Sequence, residues 1–155
     1  MSSRRTLAPC FFLNDHVDLA LEVGADGVHL GQEDMPLIEA RRRAPELVIG
    51  VSTHDAEELR AAEEGGASYI NIGPIFPTQT KVWEDAYLGL DGLRTLGAQA
   101  RVPFSVMGGI KFEHIQDLVG AGAQTIALVT AITAAEDPEG ATRELLTHIR
   151  AERGR

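Results

Sequence analysis

Short apolar runs alternate with longer amphipathic stretches along the whole chain. The runs cover residues 10–13, 27–30, 47–51, 69–72, 103–107 and 125–129. Each run is brief, fairly continuous and rich in Val, Ile or Phe, which is typical of parallel strands covered on both faces. The pattern therefore predicts six β-strands.

The stretches between the runs have the spacing of amphipathic helices. We predict helices over residues 17–23, from Asp55 onward, over about 112–119 and over about 138–149. Asp55 is a plausible N-cap, and Glu58 three residues later would complete a capping box. Helices and strands thus alternate along the chain.

A Gly-Ala pair recurs where a predicted helix gives way to a strand. It stands at residues 24–25, 66–67 and 122–123. Glycine suits the left-handed position that ends a helix, and the alanine after it lets the helix and strand approach closely. A repeated helix–strand unit of this kind predicts parallel strands joined by right-handed crossovers. The class is α/β, and these residues alone leave both an open doubly wound sheet and a (β/α) barrel possible.

Composition narrows the classes of function. The 155 residues fit one domain, residues 1–155, with 44% hydrophobic content. The formal net charge of −9, from 23 acidic and 14 basic residues, argues against a nucleic-acid surface. It does not argue against a small phosphorylated ligand, which needs only a few local donors.

Cysteine usage and hydropathy give an expected location. Cys10 is the single cysteine, so an internal disulfide is ruled out and a reducing compartment is favoured. No run approaches the roughly 18 apolar residues that a membrane span requires, and the first residues do not have the pattern of a signal peptide. We expect a cytoplasmic protein with no membrane partner.

Polar and glycine residues cluster immediately after the predicted strands. These positions are 14–15, 31–34, 52–54, 73–81, 108–109 and 130. In a parallel sheet all strand ends point the same way, and in barrels that edge holds the chemistry. One pocket can therefore collect carboxylates, hydroxyls, a lysine and exposed backbone amides.

Two aspartates among these positions are candidate metal ligands. Asp15 and Asp34 offer the hard oxygen atoms that Mg²⁺ prefers, with room for water and substrate phosphate. The alternative is helix capping, because an Asp just after a strand often caps the next helix. Their position on adjacent strands beside Gln32 favours the metal.

Hydroxyl groups and one lysine are candidate phosphate ligands. Thr78, Thr80 and Lys81 form a hydroxyl-rich loop with one positive charge, and the alternative is an ordinary loop with a solvated lysine. Ser52 and Thr130 are open to the same two readings, ligand contact or capping. Glycines 108 and 109 form a turn or expose amides to a phosphate.

One histidine falls within a predicted strand. His29 is flanked by apolar residues in the run 27–30. We interpret it as a hydrogen-bonded interior histidine rather than a general base. His54 follows the next strand, and the sequence names no partner for it.

Taken together, these motifs resemble the thiamine-phosphate synthase family. The matching stretches are residues 14–15, 27–34, 50–54, 73–81, 108–110 and 129–132. The Gly-Gln-Glu-Asp and Pro-Thr-x-Thr-Lys pieces, in this order, are highly specific, and the similarity runs from about residue 11 to 149. The resemblance implies a TIM-type (β/α)₈ barrel.

The resemblance also implies roles for residues at the first four strand ends. Asp15 and Asp34 would bind Mg²⁺. Asn14, Ser52 and Lys81 would contact the pyrimidine diphosphate, with Ser52 and Lys81 as the catalytic pair.

Further implied roles fall on the later strand ends. Thr78 and Thr80 would contact the phosphorylated ligands near the reacting centre. Gly109, Val129 and Thr130 would hold the thiazole phosphate. Thr130 stands where the family usually has Ser, and the hydroxyl is retained.

The implied reaction is a transfer in thiamine biosynthesis. A hydroxymethylpyrimidine diphosphate loses pyrophosphate from its methylene carbon, and the nitrogen of a phosphoethyl thiazole takes that carbon to give thiamine phosphate. Such a reaction needs no strong protein base. It needs a metal ion and cations to neutralise the departing pyrophosphate, and a site that aligns the nucleophile.

The chain departs from the family pattern at its start. Family members have two further β/α units before the strand that ends at residues 14–15, and one of these supplies an Arg and a Lys to the diphosphate. We therefore expect six of the eight units here, with the first two missing. Three explanations of the missing units remain open. The chain is a fragment, its start is misassigned, or it is a shorter relative that another subunit completes, as in a homo-oligomer.

Two other functions remain as alternatives. A thiazole tautomerase-like relative would share the fold, and a non-catalytic phosphate-binding barrel fragment would lack the basic clamp on the diphosphate. Asp15, Asp34 and Lys81 favour diphosphate transfer, because tautomerisation does not need them.

Overall fold

The computed structural model describes residues 10–78 and 86–154, and within them six parallel β-strands alternate with helices. The strands are β1 (Phe12–Asn14), β2 (Gly27–Leu30), β3 (Val48–Thr53), β4 (Tyr69–Ile72), β5 (Phe104–Val106) and β6 (Thr125–Ile126). The helices are α1 (Val17–Glu22), α2 (Leu37–Arg43), α3 (Ala56–Glu64), α4 (Gly89–Gln99), α5 (Ile115–Gly120), α6 (Thr130–Thr133) and α7 (Pro138–Arg153), with a 3₁₀ turn at Phe112–His114. No helix in these ranges is long and apolar enough to cross a bilayer.

The order of the strands decides between the two architectures that the sequence left open. Each strand pairs in parallel with the next one along the chain, in the order β1-β2-β3-β4-β5-β6. A doubly wound sheet reverses direction at a switch point, whereas successive right-handed crossovers in one direction place every helix on one side. The sheet is therefore of the curled barrel type, with β1 and β6 at its two edges in the described part of the chain.

The predicted strands match the observed ones at their centres and differ at their ends. β2 and β4 have the predicted bounds, whereas β1 lies later than the run 10–13 and β3 extends to Thr53. The strand predicted over residues 125–129 was too long. Only Thr125–Ile126 is a strand, and α6 begins at Thr130. Three helices, α2, α4 and α6, were not predicted.

The three Gly-Ala pairs end helices as the sequence indicated. Gly24, Gly66 and Gly122 have φ values of 67°, 84° and 96°, the left-handed region that favours glycine. The alanine that follows each glycine is buried, and its N–H reaches back to a carbonyl five residues earlier at 2.9 Å. This bonding is that of a Schellman motif and starts each following strand in the same direction.

The strands alternate between two faces, so the expectation of continuous apolar strands was wrong in detail. One face packs against the helices, and its members Val28, Ile49, Ile70 and Val106 are fully buried. The other, concave face carries glycine, polar and aromatic residues. In barrels the interior of the sheet is a separate layer from the helix interface, and polar side chains occupy it here.

The N-cap of α3 was predicted correctly, but the capping box is not formed. The Asp55 carboxylate accepts the backbone N–H groups of Glu57 and Glu58 at 2.8 Å each. The Glu58 carboxylate accepts the backbone N–H of His54 at 2.8 Å and contacts its Nδ1 at 2.7 Å. The imidazole of His54 thus provides a partner that displaces the reciprocal contact to Asp55.

A buried carboxylate ties α3 to the start of β5. The Glu63 side chain is 4% exposed and accepts hydrogen bonds from Arg101 N at 2.5 Å, Arg101 Nε at 2.7 Å and Val102 N at 3.2 Å. Burial by itself raises the pKa of Glu63, but the hydrogen bonds from Arg101 and Val102 outweigh it and hold that pKa below its ordinary value.

We predict that Glu63→Gln lowers the free energy of unfolding at neutral pH by about 1–3 kcal/mol, because a charged acceptor of several hydrogen bonds is lost. A carboxyl group whose folded-state pKa is depressed stabilises the fold above its unfolded pKa, and that stabilisation is lost as pH falls through the folded value. Urea unfolding at several pH values should show the difference between the two proteins shrinking under acid. Glu46→Gln, at an exposed position, is the control. A difference that does not depend on pH would contradict the role given to the Glu63 charge.

Candidate active site

The carboxyl ends of the six strands lie at one edge of the sheet, and the predicted site residues follow them. Asn14 is the last residue of β1, and Asp15 comes next with a φ of 67°, unusual for a residue with a side chain. The Asp15 N–H donates to the His29 carbonyl of the neighbouring strand at 2.8 Å. This bond ties the left-handed residue to β2 and keeps both side chains at the rim.

Asp34 belongs to the turn that follows β2. Its Oδ2 accepts the Gly31 N–H at 2.6 Å, which closes residues 31–34 into a compact loop. Gln32 of the same loop donates from Nε2 to the Ser52 carbonyl at 2.5 Å. The loop is therefore anchored to β3, and the Asp34 carboxylate is half-buried beside the strand ends.

The concave face holds a line of three hydrogen-bonded side chains. His29 Nδ1 lies 3.0 Å from Tyr69 Oη, and His29 Nε2 lies 3.0 Å from Ser52 Oγ. Burial lowers the pKa of His29 below its ordinary value, and the charge of Asp34 opposes this shift. Burial also raises the pKa of Tyr69. The expectation that His29 is a hydrogen-bonded interior histidine is confirmed.

A glycine makes this line of side chains possible. His29 pairs with Gly50 in the sheet register, and Gly50 pairs with Tyr69. A Cβ on Gly50 would overlap the Tyr69 ring, which lies across β3. Because glycine leaves that position empty, the tyrosine hydroxyl reaches a histidine two strands away. The ring of Phe12 lies 6.0 Å from that of Tyr69 and is edge-on to it.

A row of polar side chains lies closer to the rim than His29 and Tyr69 do. Ser52, Asn71, Ser105 and Thr125 are aligned by the register of four consecutive strands. Asn71 and Ser105 are buried, and Asn71 Nδ2 donates to Ser105 Oγ at 2.8 Å. The sequence analysis did not predict Tyr69, Asn71 or Ser105 as site residues. The alternation of apolar residues with polar residues or glycine along β2 to β5 could have indicated that they share one face of the sheet.

The connections after β4 and β5 pack directly on each other. Ile75 N–H donates to the Met107 carbonyl at 2.9 Å, and Phe76 N–H to the Gly108 carbonyl at 3.0 Å. Gly109, with a φ of 62°, leaves no room for a side chain, because a Cβ there would lie 2.6 Å from the Phe76 carbonyl oxygen. The structure thus brings predicted residues Thr78 and Gly109 onto two connections that form one unit.

The last pair of predicted residues begins α6. Val129 is the residue before the helix and is 46% exposed, and Thr130 is the first helical residue. The sequence reading placed both at the end of the sixth strand, which ends at Ile126 instead. A groove of about 400 Å³ adjoins Thr130 and is bordered by Lys111.

Two predicted residues, Thr80 and Lys81, lie outside the described residues, so their placement is not part of the observed geometry. Within the described ranges, no group of three or more His, Cys, Asp or Glu side chains is arranged to hold a metal ion. The Asp15 and Asp34 carboxylates at neighbouring strand ends still suit a magnesium ion in donor chemistry, because that ion keeps several waters and takes only one or two carboxylates with substrate phosphates.

A sequentially ordered parallel sheet with carboxylate, hydroxyl and glycine positions at the carboxyl edge defines a barrel-type α/β protein with its candidate active site at that edge. The chain belongs to the family described as thiamine monophosphate synthase, whose model matches residues 4–132. The resemblance stated from the motifs is confirmed.

Curated relatives are similar over most of this chain. Thiamine-phosphate synthase of Shouchella clausii is 44% identical over 137 residues, 88% of this chain and 66% of that protein. The enzyme of the same name from Pyrococcus furiosus is 45% identical over 136 residues, covering 87% and 65% respectively. A Synechococcus thiamine-phosphate synthase is 47% identical over 137 residues, which make up 88% of this chain and 38% of its own. The chain spans two thirds or less of the length of these relatives.

Solved structures agree with this assignment. Thiamine phosphate pyrophosphorylase from Pyrococcus furiosus superposes with a TM-score of 0.84 and 40% identity, over 92% of this chain and 68% of that one. A 3-hexulose-6-phosphate synthase gives a TM-score of 0.61 at 29% identity, over 86% and 66%. The fold is therefore shared with both of these proteins.

We predict that Gly109→Ala destabilises the rim. A side chain at a φ of 62° costs about 1–2 kcal/mol, and the contact with the connection after β4 adds to this. Urea unfolding should show a lower midpoint than for Gly120→Ala, the matched control, where a Cβ meets nothing within 4 Å. Equal midpoints for the two variants would mean that the two connections are not packed as rigidly as described.

Proposed function

We propose that the chain carries the activity of its family, the transfer of a hydroxymethylpyrimidine group from its diphosphate to a phosphoethyl thiazole, giving thiamine phosphate and pyrophosphate. The observation that carries the proposal is the 40% identity and TM-score of 0.84 with the Pyrococcus furiosus pyrophosphorylase. Around that match, the rim presents the carboxylates, hydroxyls and glycine amides that a diphosphate and a phosphate ester require.

The proposed metal ligands are Asp15 and Asp34, and the proposed cofactor is Mg²⁺. They follow neighbouring strands, and the backbone of each is held by a hydrogen bond to β2 or its loop. When bound, the ion supplies positive charge that stabilises the departing pyrophosphate. Asp15 and Asp34 would orient the diphosphate end of the substrate between β1 and β2.

The proposed substrate contacts divide along the rim. Asn14 and Ser52, on β1 and β3, would contact the pyrimidine diphosphate, with Lys81 as its cation and, with Ser52, as a catalytic residue. Thr78 and Thr80 would lie between the two substrates. Because β2 lies between β1 and β3, Asn14 and Ser52 lie on either side of His29.

The proposed contacts of the thiazole phosphate lie on the other side of the rim. Gly109 and Thr130, with Val129, follow β5 and β6, the part of a barrel where phosphates are commonly bound. The backbone amide of Gly109 would contact the phosphate group. Two substrates held on opposite halves of one edge would meet near Ser52 and the connection after β4, which places the nucleophile in line.

We further propose that residues 1–155 act as one domain whose six β/α units correspond to six of the eight in a (β/α)₈ barrel. The sequential strand order and the 68% share of the Pyrococcus furiosus chain support this. The proposed partners are the two phosphorylated substrates and, at the sheet edges, another copy of the chain in a homo-oligomer. The proposed location is the cytoplasm, in keeping with the single cysteine.

The metal role is tested with Asp34→Asn. The amide oxygen of Asn can still accept the Gly31 N–H, so the loop is kept while the negative charge is lost. We predict that thiamine phosphate formation from both substrates falls to background at magnesium concentrations that saturate the unchanged chain, with the unfolding midpoint retained. Asp34→Ala should be equally inactive.

The control is Asp26→Asn, at the other end of the same strand. Asp26 also accepts a backbone N–H, from Phe11 at 2.7 Å, and its replacement should leave turnover unchanged. Metal-independent product formation would remove the assignment of Asp15 and Asp34. Turnover of a thiazole carboxylate tautomer alone would identify a tautomerase-like relative, and binding of phosphate ligands without turnover would identify a non-catalytic barrel.

A further inference from the structure

Three hydrogen-bonding side chains on the concave face have partners that fix the direction of their protons. Tyr69 Oη has one hydrogen-bond partner within the described residues, His29 Nδ1 at 3.0 Å. A tyrosine hydroxyl has a single proton to donate. If Nδ1 carried a proton, the half-buried hydroxyl would accept from it and find no acceptor of its own there, which is costly for an enclosed polar group.

The satisfied arrangement therefore has Tyr69 donating to His29 Nδ1. A neutral imidazole carries one proton, which then sits on Nε2. An Nδ1 that accepts a hydrogen bond from Tyr69 is unprotonated, so the ring is neutral in this arrangement. Nε2–H donates to Ser52 Oγ, 3.0 Å away.

Ser52 is then an acceptor from the histidine and keeps its own proton. Within the described residues, the Ser52 hydroxyl has no other hydrogen-bond partner. Its carbonyl is occupied by the Gln32 amide, so the backbone at Ser52 is held in place. The hydroxyl proton is thereby directed away from His29 and is available to a ligand on the concave face.

We propose that Tyr69 and His29 are positioning residues that hold the Ser52 hydroxyl as a hydrogen-bond donor to the pyrimidine diphosphate. This rests on the proposed function for the identity of the ligand. The opposite tautomer would make Ser52 donate to His29 and present only an acceptor to the substrate. Gly50 is also required for this arrangement, because the absence of a side chain there lets the Tyr69 ring reach His29.

The proton arrangement is tested by nuclear magnetic resonance on the chain with ¹⁵N-labelled histidine. The His29 signals are identified by their loss in His29→Gln. The expected result is a neutral ring with Nε2 protonated and Nδ1 unprotonated. In Tyr69→Phe the Nδ1 signal should move toward that of an unbonded ring nitrogen, and Tyr87→Phe, the chain's other tyrosine, should leave it in place. A proton on Nδ1 in the unchanged chain would overturn the proposal.

The positioning role is tested by a double-mutant cycle in turnover. Tyr69→Phe should lower kcat about tenfold, the equivalent of one ordinary hydrogen bond, with KM changed less than twofold. In a Ser52→Ala background the same change should have almost no further effect, because the group it orients is gone. Equal losses in both backgrounds would show that Tyr69 serves only the structure.

Conservative replacement of the histidine gives a third measurement. The amide of His29→Gln can accept a hydrogen bond from Tyr69 and donate one to Ser52, as the histidine does. This variant should retain more turnover than His29→Leu, which can do neither. Equal turnover in the two variants would contradict the proposal. If the unchanged chain forms no product, the proposed function fails but the positioning role can still be tested. The Tyr69→Phe and Ser52→Ala cycle is then measured through the Kd for the pyrimidine diphosphate, and the tautomer of His29 is measured as before.

Discussion

The constraint on which the rest of the structure depends is the burial of every second strand residue against the helices. Val28, Ile49, Ile70 and Val106 lie on that face and are fully buried. A strand side chain points to one face or the other with a period of two, so fixing these residues also fixes their neighbours. The polar line from Tyr69 to Ser52 faces the concave side for that reason.

Glycine has two different uses in this sheet and its connections. At the helix ends, Gly24, Gly66 and Gly122 supply a left-handed backbone that starts the next strand. At Gly50 and Gly109 the need is for space, in one case for the Tyr69 ring and in the other for a neighbouring backbone. The first use shapes the fold, and the second brings parts of the candidate site together.

The candidate site joins rigid and polar components at one edge. Hydrogen bonds tie Asp15 to β2, Gln32 to β3 and the connection after β4 to that after β5. Such cross-connections hold polar groups in place before a ligand arrives, which reduces the reorganisation needed during a reaction. The proposed binding of two phosphorylated substrates depends on this rigid arrangement of polar groups at the rim.

Local signals in the sequence were enough to predict the α/β class, the centres of the strands, the three helix ends marked by Gly-Ala pairs, and the family. They could not give the strand order, which depends on pairing between distant segments. They also could not give the partner of Glu58, which contacts His54 in place of the backbone of Asp55. The Tyr69–His29–Ser52 line was decided only by tertiary structure, since sheet register and the empty space at Gly50 bring together residues up to 40 positions apart.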